Sequence, residues 1–216
     1  MNIQAVIFDL DGLLVDSEAV HYQTNRALFA KYGKTYDLAL KRKNMGVRIV
    51  EWLSDLKKEW SLKPSIEELA NEREVILRTL FSKMLKLMPG ALSILAYLKN
   101  KHIPMGLATS AKPWYVDLIM ERFPLKKFFT VVIDADQVSR GKPHPEMYLK
   151  TAEALGVRPQ ECLVLEDAPN GVAAAKAAGM ICFAVPGKYT KKTSVAHADR
   201  IFTSLIAVQR HLLRYL

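Results

Sequence analysis

The stretch FDLDGLLVDSE, residues 8–18, decides how the chain is read. It follows the apolar run Ala5–Phe8 and carries four acidic residues, Asp9, Asp11, Asp16 and Glu18. A strand end borders solvent and tolerates one carboxylate at little cost. Asp9 and Asp11 are harder to place. Residues two apart on a strand share a face, so this pair is expected to crowd and repel. The pattern calls for a positive partner that the local sequence does not contain.

Similar apolar runs recur at 104–108 (PMGLA), 130–133 (TVVI), 162–165 (CLVL) and 181–185 (ICFAV). Each has the length of a buried strand. Helical stretches lie between or beside them at 91–101, 112–123, 144–156 and 169–179, the last two closing on Gly, a helix stop. Strand alternating with helix predicts an α/β fold with a Rossmann-like, doubly wound parallel sheet and helices on both faces. The alternation lapses between Ser17 and Met88, where the periodicity is helical throughout. There a first helix is expected from Asp16 or Ser17 to Gly33, a second over Val47 to Trp60, and a third from Ser65 toward Leu87. The expected division is a core of residues 1–16 and 89–216 and a helical insert of residues 17–88. Open α/β sheets bind ligands at the carboxyl ends of their strands, and the insert leaves the chain there, so it reads as a cap.

The 216 residues suit one sizeable domain with such an insert, and the half of them that are hydrophobic can supply a core. No apolar run approaches the roughly 20 residues of a membrane span. The opening MNIQAVIFDLDG is unlike a signal peptide. Cys162 and Cys182 sit in apolar runs and read as buried free thiols of a reducing compartment, which places the chain in the cytoplasm. The net charge of +9 is spread along the chain without a basic block interleaved with aromatics. That pattern favours a solvated cationic surface over a nucleic-acid partner. The expected partner is a small anionic metabolite, with no membrane partner and a monomeric chain.

Residues just past successive strands face one crevice if the sheet is parallel. They are Asp9 and Asp11, then Thr109 and Ser110, then Glu166 and Asp167, with Lys142 in the turn RGKPHP. Taken singly each is an ordinary turn, cap or surface residue. Together they have a chemical sense. Asp9, Asp11 and Asp167 could hold a hard divalent cation through oxygen, most simply Mg²⁺. The Thr109 hydroxyl, the Ser110 backbone N–H and the Lys142 ammonium suit phosphate oxygens. Such a set can transfer a phosphoryl group: one carboxylate attacks phosphorus and a second serves as general acid and then base.

The segments DLDGLLVDS, GLATS, GKPHPE and LEDAPNG stand in the order and spacing of the haloacid dehalogenase superfamily, which the chain resembles over almost its whole length. The insert is similar to the C1 type of helical cap. It places the chain near the branch of β-phosphoglucomutases, sugar phosphatases and pseudouridine-5'-phosphatases. The resemblance implies that Asp9 is the nucleophile and Asp11 the acid/base, whose backbone carbonyl also binds Mg²⁺. It implies that Thr109 and Lys142 hold phosphoryl oxygens and that Asp167 is a metal ligand, with Glu166 also in the metal site, through water. Dehalogenation needs the first aspartate alone, so Asp11 and the Glu166–Asp167 pair set this chain apart from it. The implied activity is Mg²⁺-dependent hydrolysis of a small phosphate monoester (a phosphorylated sugar, nucleoside or polyol) through an aspartyl phosphate. A phosphomutase of the β-phosphoglucomutase type uses the same core residues and stays open. A binding module with the fold but without the chemistry would be expected to lose Asp9, Asp11 or Lys142, and none is lost. In the insert, His21 and Arg48 are candidate substrate contacts, and Arg73 lies in the region where the mutases carry a cap lysine.

Overall fold

Residues 2–44, 49–188 and 190–216 are described by the computed structural model of the chain. It divides into two compact units, Met1–Asp16 with Leu87–Leu216, and Ser17–Lys86.

The Ser17–Lys86 unit is helical: α1 (Ser17–Ala30), α2 (Leu38–Asn44), α3 (Ile49–Trp60) and α4 (Ile66–Met84). α4 begins where the sequence supplies a complete capping box. The Ser65 side chain accepts from the Glu68 N–H, and the Glu68 side chain accepts from the Ser65 N–H. Apolar residues at helical spacing meet in a core that includes Leu28, Phe29, Trp52, Leu53, Leu56 and Leu69. Phe29 is its aromatic centre, with ring centroids 5.7 Å from Tyr36 and 4.9 Å from Trp60. One helix here goes unread in the sequence, and the expected start of another falls outside the described residues. α2 was not foreseen, because LALKRKN lacks an apolar stripe. α3 starts at Ile49; Val47, its expected first residue, lies outside the described residues.

The other unit is built on a sheet of β1 (Ala5–Phe8), β2 (Met105–Ala108), β3 (Val131–Ile133), β4 (Cys162–Glu166), β5 (Ile181–Ala184) and β6 (Arg200–Ile201). The order is β3-β2-β1-β4-β5-β6 and every pairing is parallel. Its helices are α5 (Ala91–Asn100), α6 (Pro113–Arg122), α7 (Glu146–Leu155), α8 (Pro169–Ala177) and α9 (Leu205–Leu212). All four residues of β1 are buried. Ala5 and Ile7 join the cluster that contains Met147 and Tyr148 of α7 and Val172 and Ala175 of α8. Val6 and Phe8, on the opposite face, are equally shielded from solvent. Burial on both faces explains why the strand reads as an unbroken apolar run. Each fully buried Ile, Val, Leu or Phe stabilises the fold by roughly 1.5–3 kcal/mol relative to exposure. Cys162 and Cys182 are buried free thiols on adjacent strands. β6 and α9 went unread in the sequence. β6 is two exposed residues that become a strand through pairing with β5.

β1 stops at Phe8, and this overturns the expected side-by-side placement of Asp9 and Asp11 on one strand face. Beyond Asp9 the chain coils: the Leu14 and Val15 N–H groups donate to the Leu10 carbonyl at 2.9 and 3.1 Å, and Gly12 N–H donates to the Val15 carbonyl at 2.9 Å. Val15 then pairs antiparallel with Leu87, and Met88 N–H reaches the Leu14 carbonyl at 2.8 Å. The departure and return of the chain around the helical unit are therefore stapled together. Among the described residues no helix is long and apolar enough to cross a membrane.

Candidate active site

The strand order runs outward in both directions from β1 and β4, which makes the carboxyl ends of these two strands the crevice of the sheet. Asp9 follows β1, and its N–H is tied to the Leu165 carbonyl of β4 at 3.0 Å. Glu166 is the last residue of β4, and Asp167 follows it. All three acids are buried. Lys142 arrives from the loop before α7. Glu146 holds that loop in shape, because its two carboxylate oxygens accept from the Ser139 and Arg140 N–H groups at 2.9 and 3.0 Å. These bonds, with Lys150, hold the Glu146 carboxyl down at about 2.

Lys142 Nζ donates to Asp9 Oδ1 at 2.6 Å, Glu166 Oε1 at 2.7 Å and the Ala108 carbonyl at 3.2 Å. An ammonium has three hydrogens, and here they reach the ends of three neighbouring strands, β1, β4 and β2. This is the positive partner that FDLDGLLVDSE lacks. It arrives from 133 residues away in sequence. The carboxylate that Asp9 shares it with is Glu166, not Asp11.

Glu166 is saturated. Oε1 accepts from Lys142 and from the Tyr148 hydroxyl at 2.9 Å, and Oε2 accepts from the Asp167 and Ala168 N–H groups, each at 2.8 Å. Four donors fill the four in-plane lone-pair sites of a carboxylate. Tyr148 was missed at the sequence level, since PEMYL reads as one more apolar helix face and carries no signal for a site. The absence of a side chain at Gly171 makes room for this carboxylate: a Cβ there would stand 1.6 Å from Glu166 Oε1. Gly171→Ala is therefore expected to displace Glu166 and loosen Lys142. Stability should fall by roughly 1–3 kcal/mol, the usual range for overpacking. Turnover of a phosphate ester should drop at least about ten-fold. Urea titration and steady-state rates check both, and a variant with wild-type values in each would defeat the packing argument. Gly12 does the same for Asp167. Its φ is +81°, and a Cβ would lie 2.2 Å from Asp167 Oδ2.

Oxygens of Asp9, Glu166 and Asp167 all lie within 4.8 Å of one another. Ionised together, the three carboxylates would exceed the Lys142 ammonium by two negative charges, more than a buried site holds without a further cation. Burial pushes the Asp9 carboxyl up to about 8, with Lys142 opposing and Glu166 adding to the rise. Burial works to lower Lys142, but Asp9 and Glu166 outweigh it and hold the ammonium well above its ordinary value. An excess of two negative charges on an all-oxygen donor set matches a hard divalent cation.

The remaining predicted residues occupy nearby or separate positions. Thr109 is buried at the end of β2, its N–H on the Ile133 carbonyl at 2.9 Å. Its hydroxyl oxygen accepts from Ala111 N–H at 3.1 Å and keeps its own hydrogen to donate. Ser110 beside it is exposed. Asp11 is half-buried in the turn after β1, where Oδ1 accepts from the Tyr115 hydroxyl of α6 at 2.6 Å. Tyr115, like Tyr148, went unread. Arg48 lies outside the described residues. His21 belongs to the helical unit. Its Nδ1 lies 3.2 Å from an Arg73 guanidinium nitrogen, whose Nε in turn donates to Asn25 Oδ1 at 2.8 Å. Removal from water, then Arg73 and Lys41, bring His21 down to about 3, so its ring is neutral and Nδ1 is the acceptor.

A parallel sheet carrying a lysine-bridged acid cluster at its switch point is the frame of an α/β enzyme site. The family model described as "Haloacid dehalogenase-like hydrolase" matches residues 6–185, and the chain belongs to this family. Its enzymatic class is that of a phosphoric monoester hydrolase. The "Phosphorylated carbohydrates phosphatase" of Thermotoga maritima is 39% identical over 178 residues, 82% of each chain. The mitochondrial (DL)-glycerol-3-phosphatase 1 of Arabidopsis thaliana is 36% identical over 215 residues, 95% of this chain and 71% of that one. A crystal structure from Thermotoga maritima, provisionally named a β-phosphoglucomutase, superposes with a TM-score of 0.88 at 34% identity, covering 99% of this chain and 100% of the other.

Proposed function

We propose that the protein hydrolyses a small phosphate monoester through an aspartyl phosphate on Asp9, with Mg²⁺ as its cofactor. The observation that carries this reading is the Lys142 ammonium held between Asp9 and Glu166 at 2.6 and 2.7 Å. It opposes the rise that burial imposes on the Asp9 carboxyl and holds that group in place, and it offers a cation to a phosphoryl group arriving there. In the first step an Asp9 oxygen bonds to phosphorus and the bond to the ester oxygen breaks. Asp11 gives that oxygen a proton. In the second step Asp11, now a carboxylate, takes a proton from water as the water oxygen attacks phosphorus. Inorganic phosphate leaves and Asp9 is regenerated. The Thr109 hydroxyl, the Ser110 N–H and Lys142 hold the phosphoryl oxygens. The Asp9 and Asp167 carboxylates and the Asp11 carbonyl would hold the cation, which when bound neutralises charge on the phosphoryl group. Glu166, filled by four donors, positions Lys142 and the turn at Asp167. In this reading residues 1–16 and 89–216 are the catalytic core and 17–88 the cap. The names of the relatives point to phosphorylated carbohydrates and glycerol phosphate as the substrate class.

A phosphorus NMR time course with Mg²⁺ and a panel of monoesters tests the proposal. Growth of inorganic phosphate is the expected result. Conversion of β-glucose 1-phosphate, primed with a trace of the 1,6-bisphosphate, to glucose 6-phosphate with little free phosphate would overturn it in favour of a mutase. EDTA is expected to lower turnover at least about 100-fold and excess Mg²⁺ to restore it. Full activity in chelator would remove the cation from the reading.

A further inference from the structure

An acid/base group has to meet one oxygen of its substrate, and a misplacement of about 1 Å is enough to slow a reaction a hundred-fold. Asp11 stands in the turn after β1, half-buried, where the strand has already ended at Phe8. The strand therefore does not orient its side chain, which turns about two bonds of its own. The Tyr115 hydroxyl donates to Asp11 Oδ1 at 2.6 Å, across 104 positions of sequence. That distance belongs to charge-assisted O–H···O bonds, which are stronger than neutral ones.

The donor is itself held in place. Tyr115 is 5% exposed and lies in the first turn of α6, which Pro113 opens after the Lys112 cap. Its N–H donates to the Lys112 carbonyl at 3.0 Å, and its ring meets the Trp114 ring with centroids 5.8 Å apart. The loop that leads into α6 begins at Thr109 and Ser110, after β2. It is fixed at Ala111, whose N–H donates to the Thr109 hydroxyl oxygen at 3.1 Å and whose carbonyl accepts from Ala135 N–H at 3.0 Å. β1 and β2 are neighbours in the sheet. One phenol hydrogen thus ties the turn that carries Asp11 to the helix that follows Thr109 and Ser110. It also distinguishes the two carboxyl oxygens: with a hydrogen already directed at Oδ1, a proton carried by Asp11 belongs on Oδ2.

We propose that Tyr115 is a positioning residue for Asp11, holding the carboxyl by Oδ1 so that Oδ2 gives the proton to the leaving oxygen and later takes one from water. The inference rests on the phosphatase reading above and adds to it a residue of α6. Tyr115 acts through Asp11, on the departing oxygen and not on phosphorus.

The leaving group tells such a role from a structural one. An alkoxide departing from phosphorus needs the Asp11 proton. Acetate departing from acetyl phosphate leaves as a stable anion and needs none. In both reactions an Asp9 oxygen bonds to phosphorus as the bond to the leaving oxygen breaks, and kcat/KM reports the steps up to that transfer. The experiment takes the whole protein with Mg²⁺, wild type and Tyr115→Phe, on acetyl phosphate and on the alkyl monoester that wild type hydrolyses fastest. Tyr115→Phe is expected to lose at least about ten-fold in kcat/KM on the alkyl ester, a share of the roughly 10²–10⁴ that a general acid supplies, and less than about two-fold on acetyl phosphate. Placing 4-aminophenylalanine at this position restores a donor at similar reach and should recover part of the alkyl-ester rate. Equal losses on both substrates would make Tyr115 a structural residue of the turn and overturn the inference. No loss would overturn it too, as would a gain on the alkyl ester, which would mean that the bond holds Asp11 away from the leaving oxygen. Should Tyr115→Phe not fold, the 4-aminophenylalanine variant decides by the same split between the substrates. A wild type that releases phosphate from neither substrate would defeat the phosphatase reading, and the inference with it.

Discussion

Asp9→Asn is expected to lower turnover by about 10⁴-fold or more while the protein still unfolds cooperatively, at or above the wild-type midpoint. The amide keeps an oxygen where Asp9 Oδ1 accepts from Lys142, so that bond survives. It also leaves one acid fewer to ionise in the buried cluster. Burial already pushes the Asp9 carboxyl up to about 8, so exchanging it for a neutral group relieves a desolvation cost. The activity has no such compensation. An amide oxygen is a poor nucleophile toward phosphorus, and removing an attacking group costs several orders of magnitude in kcat. Steady-state kinetics with thermal unfolding of the same preparation would test both halves. Retained turnover would strip Asp9 of the role of nucleophile. Lost turnover together with lost cooperativity would show a structural role instead.

Lys142→Met is expected to damage activity and stability together. The side chains are of similar length, so packing against the Tyr148 ring, 4.9 Å from Nζ, is largely kept. The ammonium is not. Asp9 and Glu166 are then left buried as neighbouring anions, and breaking such a pair from one side costs roughly 3–5 kcal/mol. Turnover should fall by about 10³-fold or more, because a phosphoryl group would meet negative charge where it now meets a cation. The sign of the pH dependence follows from linkage. Burial already raises the Asp9 carboxyl and Lys142 opposes that rise, so without Lys142 the folded variant binds more protons than the unfolded chain between the two Asp9 values. Stability of the variant should therefore rise as pH falls from 8 toward the unfolded carboxyl range near 4. Urea unfolding of the variant at pH 8, 7 and 5 would show its stability rising with acid. A stability of the variant that does not rise would mean that the loss is one of packing rather than of charge.

The strands, and with them the fold class, were legible because burial on two faces leaves a one-dimensional trace. AVIF, GLA, VVI, CLVL and ICFA must be apolar at every position to cross a covered sheet. The same reasoning could not find β6, whose two exposed residues become a strand by hydrogen bonding to β5. Nor could it find α2, which lacks an apolar face. Asp9, Lys142, Glu166 and Asp167 were legible as a set because a parallel sheet delivers the residues after its strands to one edge, whatever their separation in sequence. Their pairing was not legible. The spacing of Asp9 and Asp11 suggested that these two crowd each other. β1 ends at Phe8, so no strand face holds the two together; Asp11 still adds to the rise at Asp9, and Lys142 joins Asp9 to Glu166.

The sequence by itself determined the α/β class, the helical insert and the chemical inventory of the site, since periodicity and strand-end position are local properties. Tertiary structure alone decided who neutralises whom: that the three hydrogens of Lys142 reach three strands, that Tyr148 and two backbone N–H groups fill Glu166, and that Gly12 and Gly171 stand aside for carboxylates. It also decided that Arg73 is buried beside a neutral histidine. Charge compensation in a protein interior depends on distances of about 3 Å between residues that are often more than a hundred positions apart, and no local pattern in the chain encodes such a distance.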